Sequence, residues 1–294
     1  MIRDIQKLKE GPFDLLVIGG GINGSAIANL AADAGLRTAL LEKGDFASGT
    51  SSKSTKLLHG GLRYLESFEF GLVHESLKER TIHFKSSPHL TKHLRFLIPI
   101  YKTDKRPFWM LKIGMFLYDF LSGKHLIQKH EILTAEEVLL KEPSLASKDL
   151  IGGVIYSDVQ MNDARFCLEN VLSAQEKGAC VANYVEVKSI IKENGKAVGV
   201  IARDLKSGES IEIRASKIIC AVGSWTNEFM RKEITKFPAK VRNTKGVHIV
   251  YKEKFSERAF LIPSHRDNRI LFVIPWLNHS LIGTTDTDFT GSPD

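Results

Sequence analysis

Three glycines at the spacing G-x-G-x-x-G, Gly19, Gly21 and Gly24, lie inside "VIGGGINGS". Each has a separate task in a nucleotide site. Gly19 permits a tight turn, Gly21 lets backbone approach a pyrophosphate, and Gly24 lets a helix pack closely on a strand. A helix that begins here offers unpaired N–H groups and a favourable dipole to phosphate. Glu42 ends the next apolar run, eighteen residues after Gly24. Taken alone it is an exposed acid at a strand end. Paired with the glycines, it stands where a carboxylate accepts the hydrogen bonds of a ribose diol.

The segment after Glu42, "KGDFASGTSSKSTKLLHGGLRYLE", selects among dinucleotides. From Ser48 to Thr55, six of eight residues carry hydroxyls. A flavin lies extended across its site and needs many donors, which short hydroxyl side chains and turn N–H groups supply without bulk. Gly60-Gly61 lets backbone lie near a flat ring. A solvated linker can also be serine-rich. A linker does not continue as "KLLHGGLRYLE", with Leu57, Leu58, Leu62 and Leu65 able to anchor it in a core.

The elements that must position these residues follow from apolar patterning. "FDLLVI", the glycine turn, "AIANLAADAG" and "RTALLE" read as strand, turn, helix and strand, a βαβ unit with a parallel pair. Residues 84–150 read as helix-rich and aromatic, punctuated by Pro88, Pro99, Pro107 and Pro143. "IGGVIYSDVQ" reads as a strand. "NDARFCLENVLSAQEKG" reads as a helix, with Asn162 or Asp163 as N-cap and Gly178 as the stop. "AVGVIARD", "LKSGE" and "SIEIRASK" predict a hairpin, with "IICAVG" a buried strand after it. From Trp225 onward, strands with short turns are expected. The fold class is therefore α/β with mixed α+β character. A Rossmann-like cofactor domain over 13–85 and 150–225 is interleaved with a substrate or cap domain over 86–149 and 226–294.

Composition sets outer bounds. The 294 residues are 43% hydrophobic and 26% charged, enough for one large or two ordinary globular domains. Three cysteines, Cys167, Cys180 and Cys220, show no C-x-x-C spacing, so a reduced, cytosol-facing protein without a disulfide framework or a metal site is expected. The N-terminus is polar, unlike a signal peptide. No apolar run reaches the roughly 18 residues needed to span a bilayer. The net charge of +7 is unevenly placed: 76–130 holds eleven Lys/Arg against three Asp/Glu, so the rest of the chain nets about −1. Basic residues mixed with aromatics suit an anionic membrane surface or nucleic acid, or form a solvated helical face.

These residues carry a resemblance. "LLVIGGGINGSAIANLAADAGL", "LLEKGDFASGTSSKSTKLLHGGLRYLE" and "FEFGLVHESLKER" closely resemble the FAD-dependent glycerol-3-phosphate dehydrogenase family, the quinone-linked enzymes of glycerol catabolism. Further similar stretches are "RPFWMLKIGMFLYDFLSG", "YSDVQMNDARFCLENV", "KGVHIVY" and "FVIPWLNHSLIGTTDTDFTG", so the resemblance runs along essentially the whole chain. It implies a D-amino-acid-oxidase-like flavoprotein architecture. It implies oxidation of sn-glycerol 3-phosphate to dihydroxyacetone phosphate, with hydride passing to FAD and a membrane quinone reoxidising the flavin. By resemblance, Gly19, Gly21, Gly24 and Glu42 hold the ADP half of FAD, and Thr50, Ser51, Ser52, Lys56, His59 and Gly61 line the rest. Val185 meets the adenine through its backbone. Ala221, Gly223 and Trp225 lie near the pyrophosphate, with Val222 where the family pattern has threonine.

The same resemblance places Arg63, Tyr64, His248 and Thr285 around the substrate, with His248 and Arg63 catalytic. The chemistry agrees: a phosphate dianion suits a guanidinium fork, and a hydroxyl being oxidised needs a base near neutral pKa. Arg63 could instead pair with Glu66 at i+3. His248, alternating with Val247 and Ile249 in a strand, could be merely structural. Trp109, Ile113, Phe116, Leu117 and Phe120 share a helical face, and the resemblance, to a family that sits on the membrane without spanning it, implies peripheral binding to anionic lipid at the inner face of the cytoplasmic membrane. A homodimer is compatible with the family, and nucleic acid is not expected as a partner. Family members continue for roughly as many residues again beyond Asp294, which falls in a turn. The chain thus reads as an N-terminal portion. The alternatives are an oxidase using O₂, an amino-acid oxidase disfavoured by "GGLRY", and a truncated FAD-binding remnant without turnover.

Overall fold

A short helix, α1 (Ile5–Lys9), opens the chain, its first turn capped by the Asp4 side chain. The apolar runs then become β1 (Phe13–Ile18) and β2 (Thr38–Leu41), with α2 (Ile22–Asp33) between them. The two strands pair in parallel. Elements are numbered along the chain. This computed structural model describes residues 2–234, 236–264 and 269–293, so Asp294 lies outside the described residues. The described residues group into two compact units. One comprises the chain up to Ser54, Asn162–Asn243 and the stretch from Asp288; the other comprises Thr55–Met161 and Thr244–Thr287.

The first unit is a six-stranded sheet in the order β7-β2-β1-β10-β9-β8. Its further strands are β7 (Cys180–Ala182), β8 (Val185–Glu193), β9 (Lys196–Asp204) and β10 (Ser210–Cys220). Beyond the exposed Asp14, β1 is buried on both faces, which is why residues 15–18 are continuously apolar rather than alternating. Leu16 and Ile18 pack toward residues of β8, β9 and β10; Leu15 and Val17 pack toward α2 and α6 (Asp163–Glu176). α2 meets the sheet through Ala28, Ala31 and Ala32, small enough to let the helix lie close. Asn162 is the N-cap of α6, its side chain accepting from the Arg165 N–H at 3.1 Å.

Two readings change here. The expected hairpin arm and the strand after it are one element. β10 pairs antiparallel with β9 through Ser210–Arg214, then parallel with β1 through Ala215–Cys220. Its second half is not fully buried. Ile218 and Cys220 pack on the core while Ile219, on the alternate face, is exposed. The region after Trp225 also contains a helix, α7 (Thr226–Glu233), where strands were expected.

The second unit is built on β4 (Thr91–Tyr101), antiparallel along its length to β6 (Leu150–Met161). The sheet order is β12-β15-β14-β13-β4-β6-β3, and β5 (Glu131–Thr134) also pairs with β6. The remaining strands are β3 (Leu57–Leu58), β12 (Ile249–Tyr251), β13 (Ala259–Pro263), β14 (Ile270–Trp276) and β15 (His279–Gly283). β11 (Thr244–Lys245) and β16 (Thr287–Asp288) form a separate ribbon. α3 (Phe70–Ser86) and α4 (Phe108–Ser122) contribute Leu77, Met115 and Tyr118 to one core cluster. α5 (Ala135–Lys141) contributes Val138 to another.

The helix-rich reading of 84–150 therefore missed β4. Pro99 disguised it, yet Pro99 faces Gly153 of β6, beyond the short stretch where β13 pairs with β4 at Phe96 and Leu97. The expected boundaries move for the same reason. Residues 55–85 and 150–161 join the second unit, because β3 and β4 both pair with β6 and α3 packs in its core. Residues 226–243 join the first.

Candidate functional site

The glycine turn of the first unit is tight enough to exclude side chains. Gly19 has φ +108°, and a Cβ there would lie 2.5 Å from the Ala221 carbonyl oxygen. A Cβ on Gly24 would lie 1.8 Å from the Gly19 oxygen. A Cβ on Gly21 would meet only the Ser51 hydroxyl, at 3.1 Å. Gly21 is the N-cap of α2 and brings no side chain to it. The N–H of Ile22, in the first turn of that helix, donates to Ser51 Oγ at 2.8 Å.

Glu42 straddles this turn. One carboxylate oxygen accepts from the Gly20 N–H and the other from the Gly44 N–H, both at 2.7 Å. Its carbonyl accepts from the Val185 N–H at 2.8 Å, which brings Val185 beside it. The Ala221 N–H donates to the Ile18 carbonyl at 2.7 Å, extending the β1–β10 ladder into the turn. Gly223 follows at φ +55° and opens a 3₁₀ turn, Gly223–Trp225. Trp225 packs on Gly49, where a Cβ would lie 3.3 Å from the indole, and Lys43 Nζ stands 4.4 Å from its ring centre. Val222 approaches Gly19 through its Cα, and its side chain packs on the sheet core.

The hydroxyl-rich stretch is not a linker. Thr50–Ser52 forms a 3₁₀ turn. Beyond it, Ser54 Oγ donates to the buried Asp163 carboxylate at 2.7 Å. The structure thus gathers Gly19, Gly21, Gly24, Glu42, Ser51, Val185 and Ala221 around one turn, with Thr50, Ser52, Gly223 and Trp225 on the adjoining loops. Closely approachable backbone, a helix N-terminus, a hydroxyl and a carboxylate form a donor and acceptor set that fits the ADP half of FAD.

Lys56, His59, Gly61, Arg63, Tyr64, His248 and Thr285 belong to the second unit. There Lys56 has φ +62°, and its Nζ stands 5.7 Å from the Trp276 ring centre. His248 Nε2 is 3.2 Å from Thr55 Oγ1, within hydrogen-bonding distance. His248 stands just before β12 rather than inside a strand. The Thr285 hydroxyl accepts from the N–H of Val247, the residue before His248, at 3.0 Å. Burial pushes the His248 imidazole below its ordinary pKa, and the Lys56 charge pushes the same way. A half-buried imidazole kept neutral in this way can accept a proton.

After β3, Gly60 and Gly61 lead into a 3₁₀ turn over Leu62–Ser67. Gly61 has φ +74°, and the Tyr64 N–H donates to its carbonyl at 2.8 Å. Tyr64 is half-buried against the core cluster, 6.5 Å from His59 between ring centres. Glu66 forms its ion pair with Arg106, at 2.5 Å, and not with Arg63. Arg63 is exposed and has no salt bridge among the described residues. Thr55, which touches His248, and Asp158, Arg80 and Tyr118, which gather around Gly60, were missed from the sequence. The available signal was one acid, Asp158, inside the apolar run "GGVIYSDV".

On α4, Trp109 and Phe120 are 63% and 80% exposed, with Ile113 and Phe116 also exposed and Leu117 half-buried. Among the described residues, no helix is long and apolar enough to cross a membrane.

Residues 14–294 match the family described as FAD dependent oxidoreductase, DAO. The chain is 41% identical over 296 residues to an alpha-glycerophosphate oxidase of Streptococcus pneumoniae serotype 4, covering 98% of this chain and 48% of that protein. It is 40% identical over 307 residues to a glycerol-3-phosphate dehydrogenase of a Synechocystis species, covering 100% of this chain and 55% of that protein. Among solved structures, the glycerol-3-phosphate dehydrogenase from Bacillus halodurans complexed with FAD is similar at TM-score 0.80 and 35% identity, covering 98% of this chain and 50% of that one. The chain spans about half the length of these relatives.

Proposed function

The chain belongs to the FAD-dependent oxidoreductase family, and from that premise we propose that it takes part in oxidising sn-glycerol 3-phosphate to dihydroxyacetone phosphate. Bound FAD supplies the two-electron acceptor. The observation that carries the substrate is Arg63, an exposed guanidinium whose sequence neighbour Glu66 is engaged by Arg106. Such a group offers a fork to a phosphate dianion. His248, held neutral, takes the proton of the hydroxyl being oxidised, and Thr55 at 3.2 Å orients its ring. Tyr64 and Thr285 line the substrate side. The names of the relatives agree with this substrate.

The electron acceptor in this reading is a membrane quinone. The exposed aromatic face of α4, in a segment carrying a net charge of +8, supports docking on an anionic membrane surface from the cytoplasmic side. O₂ is the second reading, favoured by the oxidase names among the relatives. Anaerobic addition of glycerol 3-phosphate to the purified yellow protein should bleach the flavin absorbance. No bleaching at saturating substrate overturns the catalytic reading in favour of an FAD-binding remnant, and a colourless protein shows that this chain does not retain the flavin. Arg63→Ala should raise the half-saturating concentration about tenfold or more. Reoxidation by a quinone analogue, without peroxide, separates the two acceptors. Flotation with anionic vesicles should show binding that salt weakens, and absence of binding at low salt removes the membrane.

A further inference from the structure

Behind the Gly60–Gly61 turn lies a buried ion pair that the reaction outlined above does not use. Arg80, on α3, and Asp158, on β6, are each 2% exposed. Asp158 Oδ1 accepts two hydrogen bonds, from Arg80 Nη1 at 3.0 Å and from the Gly60 N–H at 2.9 Å. Arg80 Nη1 also donates to the Ser157 carbonyl at 3.0 Å, and Nη2 to the His125 carbonyl at 3.2 Å. The Nε–H of Arg80 has no partner among the described residues.

This arrangement is poorly suited to stability alone. Taking both charges out of water is offset only when every donor and acceptor is matched, and an apolar pair of similar volume often serves as well. Here one guanidinium N–H is left over, and burial raises the Asp158 carboxyl above its ordinary pKa despite Arg80. What an apolar pair could not supply is a fixed acceptor for one backbone N–H.

That N–H belongs to a residue confined on its other side as well. A Cβ on Gly60 would lie 2.1 Å from Tyr118 Oη and 2.3 Å from Leu77 Cδ2. The turn is therefore pressed onto α3 and α4 while it is tied to β6. Gly61 then turns the chain at φ +74°, and Arg63 and Tyr64 follow at once in the 3₁₀ turn. Their placement is inherited from the clamp on Gly60.

We propose that Asp158, held in place by Arg80, is a positioning residue: its carboxylate fixes Gly60 and thereby fixes where the Arg63 guanidinium meets an anionic substrate. This rests on the reading of Arg63 as a phosphate ligand. Two neutral double variants isolate the effect. Arg80→Met with Asp158→Asn keeps an acceptor for the Gly60 N–H, whereas Arg80→Met with Asp158→Leu removes it. Neither leaves a buried charge unpaired.

In the FAD-loaded full chain, half-saturation of anaerobic flavin reduction by glycerol 3-phosphate is measured alongside flavin content and thermal midpoint. The Asn variant should stay within about threefold of the parent, and the Leu variant should need about tenfold more substrate at equal flavin content. Equal half-saturation in the two variants overturns the proposal. Hydrogen exchange of the parent supplies a readout free of turnover and of variant folding. The Gly60 amide should exchange as slowly as the centre of β6, and exchange at the rate of an open loop also overturns it. Should the parent's flavin not be reduced by glycerol 3-phosphate at all, the substrate reading fails by itself, and amide protection still judges the clamp.

Discussion

Two glycine turns, one in each unit, are held by different means. At Gly19–Gly24 a backbone carbonyl lies 1.8 Å from where a Cβ would sit, and N–H groups are taken by the nearby side chains of Glu42 and Ser51. Most of the partners lie within about thirty residues along the chain, with Ala221, Val222 and the Cys167 thiol, which donates to the Gly20 carbonyl, coming from farther away. At Gly60–Gly61 the restraint is side chains drawn from positions 80, 118 and 158, on two helices and a strand. A turn made of missing side chains announces itself by spacing. A turn clamped by distant side chains shows only its glycines. The contrast is that the first turn is restrained largely by residues near it in the sequence, whereas the second depends on side chains far from it along the chain.

Substitutions can break this contrast. The largest effect is expected for Arg80→Ala, which strands Asp158 in the core and should cost about 3–5 kcal/mol in denaturant unfolding. The loss should shrink at acid pH, because without Arg80 the carboxyl, already pushed up by burial, takes a proton and becomes neutral. A loss no larger than that of a surface ion pair would place the clamp on the same footing as the exposed pairs. Gly24→Val comes next. Its side chain collides with the Gly19 oxygen, so we expect about 1–3 kcal/mol of destabilisation and a protein purified without yellow colour. A stable, yellow variant would show that the backbone of the first turn yields where the packing says it cannot.

Ser51→Ala tests a finer point of the first turn. Its hydroxyl accepts the Ile22 N–H near the surface, so thermal unfolding should report about 1 kcal/mol or less. The smallest effect is a pH shift in the second unit. His248 is depressed by burial and then by Lys56, so its neutral form persists below the ordinary 6.5 of a histidine. The acid limb of kcat/KM should lie below that value, and Lys56→Gln should move it upward. By the same sign, stability contributed by His248 is present above the unfolded pKa and lost as pH falls through the folded one. An acid limb unmoved by Lys56→Gln would separate His248 from the proton transfer.

The first unit was largely legible in the sequence. "FDLLVI", the glycine spacing and "RTALLE" are each read within a few residues, and β1, α2 and β2 form where those patterns lie. β4 was not legible, since Pro99 and its charged first half look like loop or helix until β6 is laid beside it. The clamp was hidden for a related reason. Arg80 sits in "HESLKER", which reads as a solvated helical face, and only the docking of α3 buries it.

By itself the sequence determined the dinucleotide cradle, because glycine φ freedom, absent Cβ atoms and a helix N-terminus are local properties of a few consecutive residues. It also determined which residue types could bind a phosphate or take a proton. Only the tertiary structure decided that Glu66 goes to Arg106 rather than Arg63, that Thr55 stands beside His248, and that Asp158 holds Gly60. Those pairings join residues up to 193 positions apart. They form because sheet pairing and helix packing bring them within hydrogen-bond reach, which no local pattern encodes.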